Sequence, residues 1–196
     1  MDIAILKYNA GNIFSLVNAI ERLGATPIVS DNPETLAKAD RVVFPGQGEA
    51  GVAMAYLRER GLDKVVAGLT QPVLGICVGM QLLCSHSEES DTDCIGVFPE
   101  RVVRFKPQSR QDKIPAMGWN SLHNLKSPLF AGLDEGDFAY FIHSYYAPVG
   151  PHTIATAHYT TEYSAAICRG NFYATQFHPE KSGDVGARII ENFLRI

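Results

Sequence analysis

The chain has 196 residues, 46% of them hydrophobic and 19% charged, enough apolar mass for one domain with a sizeable core. A formal net charge of -4 argues against a general nucleic-acid or membrane surface, and no apolar run reaches the length of a bilayer span. Cys77, Cys84, Cys94 and Cys168 form no C-x-x-C pair and no zinc-finger spacing, and residues 1–7 lack the basic stretch and cleavage site of a secretion signal, so a cytosolic, reduced chain without structural disulfides or bound metal is expected.

Residues 2–6 read as a first strand and 8–12 as turn chemistry. Ile13, Leu16, Val17, Ile20 and Leu23 then recur at helical spacing, with Gly24 placed to close the helix. Residues 27–30 form a second short strand, 31–38 a loop and short helix, and 41–44 a third strand stopped by Pro45-Gly46-Gln47-Gly48. One helix runs through Met54, Tyr56 and Leu57 and another over 62–69, leading to an apolar strand at 72–76. Strand alternating with helix predicts a parallel sheet covered on both faces. In the second half, short strands at 102–105, 140–143, 153–156, 165–168 and 172–177 have few helices between them, which predicts antiparallel additions to that sheet. Residues 183–194 return to helix, with Val185, Ile189, Ile190, Phe193 and Leu194 on the apolar side, and residues 108–113 read as a solvated loop. The expected fold class is α/β, a single-domain open mixed sheet, mostly parallel.

Two segments carry chemistry. In Gly75-Ile76-Cys77-Val78-Gly79 a buried strand turns sharply into a helix, so the cysteine sits at the tip, against free N–H groups and the positive end of the helix. Such a cysteine suits a thiolate nucleophile, although a buried structural cysteine fits the same pattern. In Gln176-Phe177-His178-Pro179-Glu180, Pro179 biases His178 toward extended backbone, and residues two apart on an extended chain share a side. His178 and Glu180 then read as a base and its orienting carboxylate, or as a strand-end histidine satisfied by solvent.

Together, Gly75-x-Cys77-x-Gly79-x-Gln81 and Phe177-His178-Pro179-Glu180 resemble the class I (triad) glutamine amidotransferases, over essentially the full chain, 1–196. The resemblance implies Cys77 as nucleophile, His178 as general base then acid, Glu180 as its orienter, and no cofactor. An oxyanion site is needed. The Val78 backbone N–H is one natural donor, and the Gln47 and Gly48 region of the loop after the third strand is a second, unless that loop is an ordinary turn. By the family pattern, Gly46, Gly48, Gln81, Ser144 and Tyr145 line the glutamine pocket, and Glu89 meets the α-ammonium, where it would otherwise be part of a solvated acidic loop.

Asn9-Ala10-Gly11-Asn12, Pro115-Ala116-Met117-Gly118-Trp119-Asn120, His143-Ser144-Tyr145 and His178-Pro179-Glu180-Lys181-Ser182 narrow the likeness to glutaminase subunits of imidazole glycerol phosphate synthases. These pair as heterodimers with a (β/α)8-barrel cyclase that consumes the ammonia. That likeness implies an interface at Asn12, Trp119, Asn120, Tyr145 and Lys181. Trp119 also fits a core aromatic, and Lys181 a plain surface charge. Gln47 stands where the family usually has valine, Ala116 where many members have histidine, and Lys7 where an acidic residue is common. The alternative readings are an amidotransferase subunit of another pathway, a non-catalytic regulatory subunit, or a free-standing cysteine hydrolase.

Overall fold

In the computed structural model, which describes residues 1–8, 13–46 and 48–196, the first half alternates as its apolar pattern predicts. It runs β1 (Ile3–Leu6), α1 (Phe14–Arg22), β2 (Pro27–Ser30), α2 (Pro33–Lys38), β3 (Arg41–Phe44), α3 (Ala50–Glu59), α4 (Leu62–Ala67), β4 (Val73–Ile76) and α5 (Val78–Leu83). The second half adds β5 (His86–Ser87), β6 (Thr92–Asp93), β7 (Arg101–Arg104), β8 (Ala116–Ser121), β9 (Phe138–His143), β10 (Tyr145–Tyr146), β11 (Thr153–His158), β12 (Glu162–Arg169), β13 (Phe172–Thr175) and α6 (Gly183–Arg195).

The main sheet has seven strands in the order β11-β12-β13-β4-β3-β1-β2. β2, β1, β3, β4 and β13 run parallel, and β12 and β11 are antiparallel. β1 and β4 are buried at every position, as strands covered on both faces must be. Local signals set the helix ends. Asn32 accepts from the N–H groups of Glu34 and Thr35 ahead of Pro33, and Gly24, at φ 82°, follows the end of α1. Among the described residues, no helix is long and apolar enough to cross a membrane.

The predicted strands at 102–105 and 140–143 do not join this sheet. β7 lies in a separate four-stranded sheet, β10-β7-β5-β6, and β9 pairs with β8 in a two-stranded ribbon. β8, which the sequence pattern does not announce, buries only Ala116 and contains Gly118 at φ 133°. A mostly uncovered ribbon lacks the apolar alternation that marks a core strand. The register is what positions the site. Thr175 of β13 pairs with Ile76 of β4, so the residues that follow both strands emerge side by side at the carboxyl edge of the parallel sheet.

The β3 and β4 crossovers meet there backbone to backbone. A Cβ on Gly79 would collide with the Phe44 carbonyl, and one on Gly46 with the backbone of Ile76, Val78 and Gly79. Glycine in a helix ordinarily destabilises by about 0.5–1 kcal/mol relative to alanine. For Gly79→Ala the sign should reverse, with a loss of about 1–3 kcal/mol from overpacking against a backbone that cannot rotate away. Equilibrium denaturant unfolding checks this, and a stabilised Gly79→Ala would mean the crossovers are not in contact.

Candidate active site

Cys77 occupies the residue between β4 and α5 at φ 52° and ψ -109°, a backbone region that a non-glycine residue enters only at a cost. Its N–H donates to the Thr175 carbonyl at 2.7 Å, and its carbonyl accepts from Gln81 N at 3.1 Å. The sharp turn aims the thiol away from both elements and across to the end of β13. Sγ lies 3.7 Å from the Ile142 carbonyl oxygen and 3.7 Å from Gln176 Nε2.

The His178 N–H donates to the Tyr140 carbonyl at 2.9 Å, and Ser182 Oγ donates to the His178 carbonyl at 2.6 Å. The ring Nδ1 stands 2.8 Å from Glu180 Oε1, both side chains nearly inaccessible. The chain does not reach this contact by extended alternation. Pro179–Lys181 is a 3-10 turn, and it folds the carboxylate back beneath the ring. With Nδ1 committed to Glu180, Nε2 is left for Cys77. Burial works against a charged His178, yet the charge and hydrogen bond of Cys77 and those of Glu180 outweigh it and raise the pKa to about 10. The arrangement is an imidazolium held between a sulfur and a carboxylate, the polarity a nucleophile and its proton donor require.

A cavity of about 170 Å³ opens over the sulfur, smaller than the ~300–1,000 Å³ of drug-sized sites. Of the sequence-predicted residues, Gly48, Cys77, Val78, Gln81, Glu89, Ser144 and Tyr145 line it. Gly46 does not. It sits behind the cavity, where the lack of a side chain lets the β3 crossover touch the start of α5. Gln81 reaches the wall with its amide already engaged. Its Nε2 donates to the Tyr145 carbonyl at 3.0 Å and to Gln176 Oε1 at 3.1 Å. Glu89 Oε2 accepts from Ala50 N at 2.8 Å; burial raises its pKa, the Ala50 N–H lowers it, and nearby Glu49 raises it further. Asn12 and Gln47 fall outside the described residues.

Trp119 is not a core aromatic. It is 57% exposed, beside Met117 and Phe138, on the outer face of the β8–β9 ribbon. Asn120 Nδ2 donates to the His158 carbonyl at 2.8 Å, and Tyr145 and Lys181 are half-buried. The Trp119 ring stands 6.0 Å from that of Tyr140, whose carbonyl holds His178.

Three further residues contribute from within the motifs, with no role assigned to them by the sequence. Gln176 was legible only as the residue two before His178 on the same strand end. Ser182 fixes the His178 backbone and accepts from Tyr140 N at 2.9 Å. His143 donates from Nδ1 to the Tyr145 carbonyl at 2.8 Å; burial pushes its pKa down, that bond pushes it up, and the His178 charge lowers it, to about 4. It is therefore neutral at pH 7.

The glutamine amidotransferase class-I family model matches residues 5–196. The imidazole glycerol phosphate synthase subunit HisH of Bacteroides fragilis (strain YCH46) is 52% identical over 196 residues, covering 100% of both chains. That of Shewanella oneidensis is 42% identical over 212 residues, covering 100% of this chain and 96% of the relative. Among solved structures, a putative GMP synthase component from Thermoplasma acidophilum superposes with a TM-score of 0.76 at 20% identity, covering 100% of this chain and 92% of that one. A glutamine amidotransferase does so with 0.76 at 21%, covering 98% and 97%. At such identities the structures share the fold.

Glu180 helps hold the His178 proton, so Glu180→Gln should move the His178 midpoint from about 10 toward neutrality. An NMR titration of the His178 ring reads it directly. An unmoved midpoint would mean the carboxylate does not act on the imidazole.

Proposed function

The chain belongs to the glutamine amidotransferase class-I family, and on that premise we propose that it is the glutaminase subunit of an imidazole glycerol phosphate synthase. The observation that carries the reading is the buried contact of His178 Nδ1 with Glu180, set beside Cys77 and a small cavity, in a chain matched end to end by relatives of that name. The whole of residues 1–196 serves as one glutaminase domain, in the cytoplasm, and the reaction calls for no cofactor or metal.

Glutamine enters with its side-chain amide over Sγ and its α-ammonium toward Glu89. The Cys77 thiolate attacks the amide carbon, and the negative charge that develops on oxygen meets the N–H of Val78 and the Gln47–Gly48 backbone. Gly48 lines the cavity at φ 112°. His178 gives its proton to the leaving nitrogen, the C–N bond breaks, and ammonia departs from a γ-glutamyl thioester. Water then loses a proton to neutral His178 as its oxygen attacks the thioester. The C–S bond breaks, glutamate leaves, and the thiolate–imidazolium pair is restored. Ser144 and Tyr145, whose carbonyl Gln81 fixes, border the rest of the substrate.

Ammonia released into water becomes ammonium, which has no lone pair for attack. A partner must therefore take it up through an enclosed path. A (β/α)8-barrel cyclase fits that role, making imidazole glycerol phosphate and AICAR in histidine biosynthesis. The exposed Met117, Trp119 and Phe138 on the β8–β9 ribbon support a docking face there, with Asn120, Tyr145 and Lys181 at its margin in this reading.

Cys77→Ala should abolish glutamine-dependent synthesis by the reconstituted complex and leave synthesis from ammonium salts at high pH intact. Loss of both would make Cys77 structural. The chain alone should turn glutamine over slowly and accelerate by orders of magnitude once the cyclase and its ligand are added, measured as glutamate release. Rapid turnover without any partner would point to a free-standing hydrolase.

A further inference from the structure

The turn that carries Glu89 is built in a way that its own sequence does not favour. Ser90 and Asp91, the two residues after Glu89, are both left-handed, at φ 54° and 45°, and neither is glycine. Consecutive conformations of this kind persist only where the surroundings over-determine them. The turn is tied locally: Glu89 N donates to Ser87 Oγ at 3.1 Å, and Thr92 Oγ1 donates to the Glu89 carbonyl at 2.8 Å. Ser90 is tied as well, its carbonyl accepting from Thr92 Oγ1 at 3.3 Å and its side chain bonding Glu49, and a further tie comes from His86. His86, buried in β5, places Nε2 at 3.1 Å from Asp91 Oδ1 and Nδ1 at 3.1 Å from Asp93 Oδ1. The Nδ1 contact with Asp93 is a hydrogen bond, and the Nε2 contact with Asp91 is a close approach of ring and carboxylate. One ring thus spans the two limbs of the β5–β6 hairpin whose tip is Glu89.

The hairpin is also fastened to α3. Arg58 donates to the Asp93 carbonyl at 2.7 Å, and Ala50 N, at the start of α3, donates to Glu89 Oε2. The carboxylate is fixed by a backbone donor on one side and by the hairpin geometry on the other.

We propose that His86 is a positioning residue for glutamine recognition: by bridging Asp91 and Asp93 it holds the strained turn that presents Glu89 to the α-ammonium. The inference rests on the reading of Glu89 given above. His86 touches no substrate, and its effect is confined to the end of the ligand that carries the ammonium, away from the amide over Sγ.

The test compares competitive inhibition by glutamate and by glutarate, which lacks only the α-ammonium, in the complex assembled with the cyclase. The wild type should favour glutamate. Glu89→Gln should remove most of that preference. His86→Ala should cut it about tenfold and raise the KM for glutamine by a similar factor with kcat within about twofold, as expected for loss of one well-placed charge-assisted contact. His86→Arg, whose guanidinium can donate to both carboxylates, should recover part of the preference. Asp91→Ala changes an exposed side chain, should weaken the preference in the same direction, and decides the matter if His86→Ala does not fold. If Glu89→Gln removes the preference while His86→Ala or, failing that, Asp91→Ala leaves it intact, His86 has no positioning role. If Glu89→Gln itself leaves the preference intact, the assignment of Glu89 is wrong and this inference goes with it.

Discussion

The site depends on one residue being held where its backbone does not prefer to be. Cys77, at φ 52°, turns the chain from β4 into α5 with no intervening loop. Left-handed backbone at a non-glycine residue costs about 1–3 kcal/mol. The segments on either side more than offset it. Val73, Leu74 and Ile76 before the turn, and Met80, Leu82 and Leu83 after it, are all essentially inaccessible, and fully burying such a side chain contributes about 1.5–3 kcal/mol. The strain is local and the burial is distributed, so the turn cannot relax without pulling a central strand or its helix out of the core.

Electrostatics then acts on a geometry already fixed. Withdrawing His178 and Glu180 from water carries a penalty that a lone ion pair in low dielectric does not reliably return. Here the imidazolium has a partner on each side, Glu180 at Nδ1 and Cys77 at the other nitrogen, and that arrangement raises its pKa despite burial. The adjacent histidine is treated oppositely. His143 is buried among Phe105, Phe141 and Tyr163, gives its one proton to the Tyr145 carbonyl, and stays neutral. A second imidazolium there would repel the charge on His178, so the apolar packing around His143 helps keep the positive charge in one place.

Much of this was legible in the sequence, for definite reasons. β1, β3 and β4 are short apolar runs bounded by turn residues, and α1 and α6 have strong helical periodicity, so elements buried by their own pattern announced themselves. The nucleophile turn was visible because its glycines are imposed by backbone contact, as the space around Gly75 and Gly79 demonstrates. What stayed hidden has tertiary causes. β8 buries almost nothing and gave no alternation. The His178–Glu180 contact was foreseen on extended geometry but is made by a 3-10 turn. Gly46 read as a pocket residue because its loop is one, while its own missing side chain serves packing. Gln176 matters through Gln81 and Cys77, roughly a hundred residues away, which no local pattern encodes.

β9 joins these threads. Its Tyr140 carbonyl receives the His178 N–H, its Ile142 carbonyl faces the Cys77 sulfur, and it leads directly into Ser144 and Tyr145 on the cavity wall. Base, nucleophile and pocket are therefore referenced to the backbone of one strand. Among the described residues that strand has a single sheet neighbour, β8, whose outer face leaves Met117 and Trp119 in solvent. A central strand of the main sheet, paired on both edges and covered on both faces, would be locked. β9, paired in a sheet with β8 alone among the described residues, is held on its other side at Tyr140, by the His178 N–H and by Ser182 Oγ. The strand against which nucleophile, base and pocket are aligned is thus held at its own edge, while the β4–α5 turn is sealed in the core.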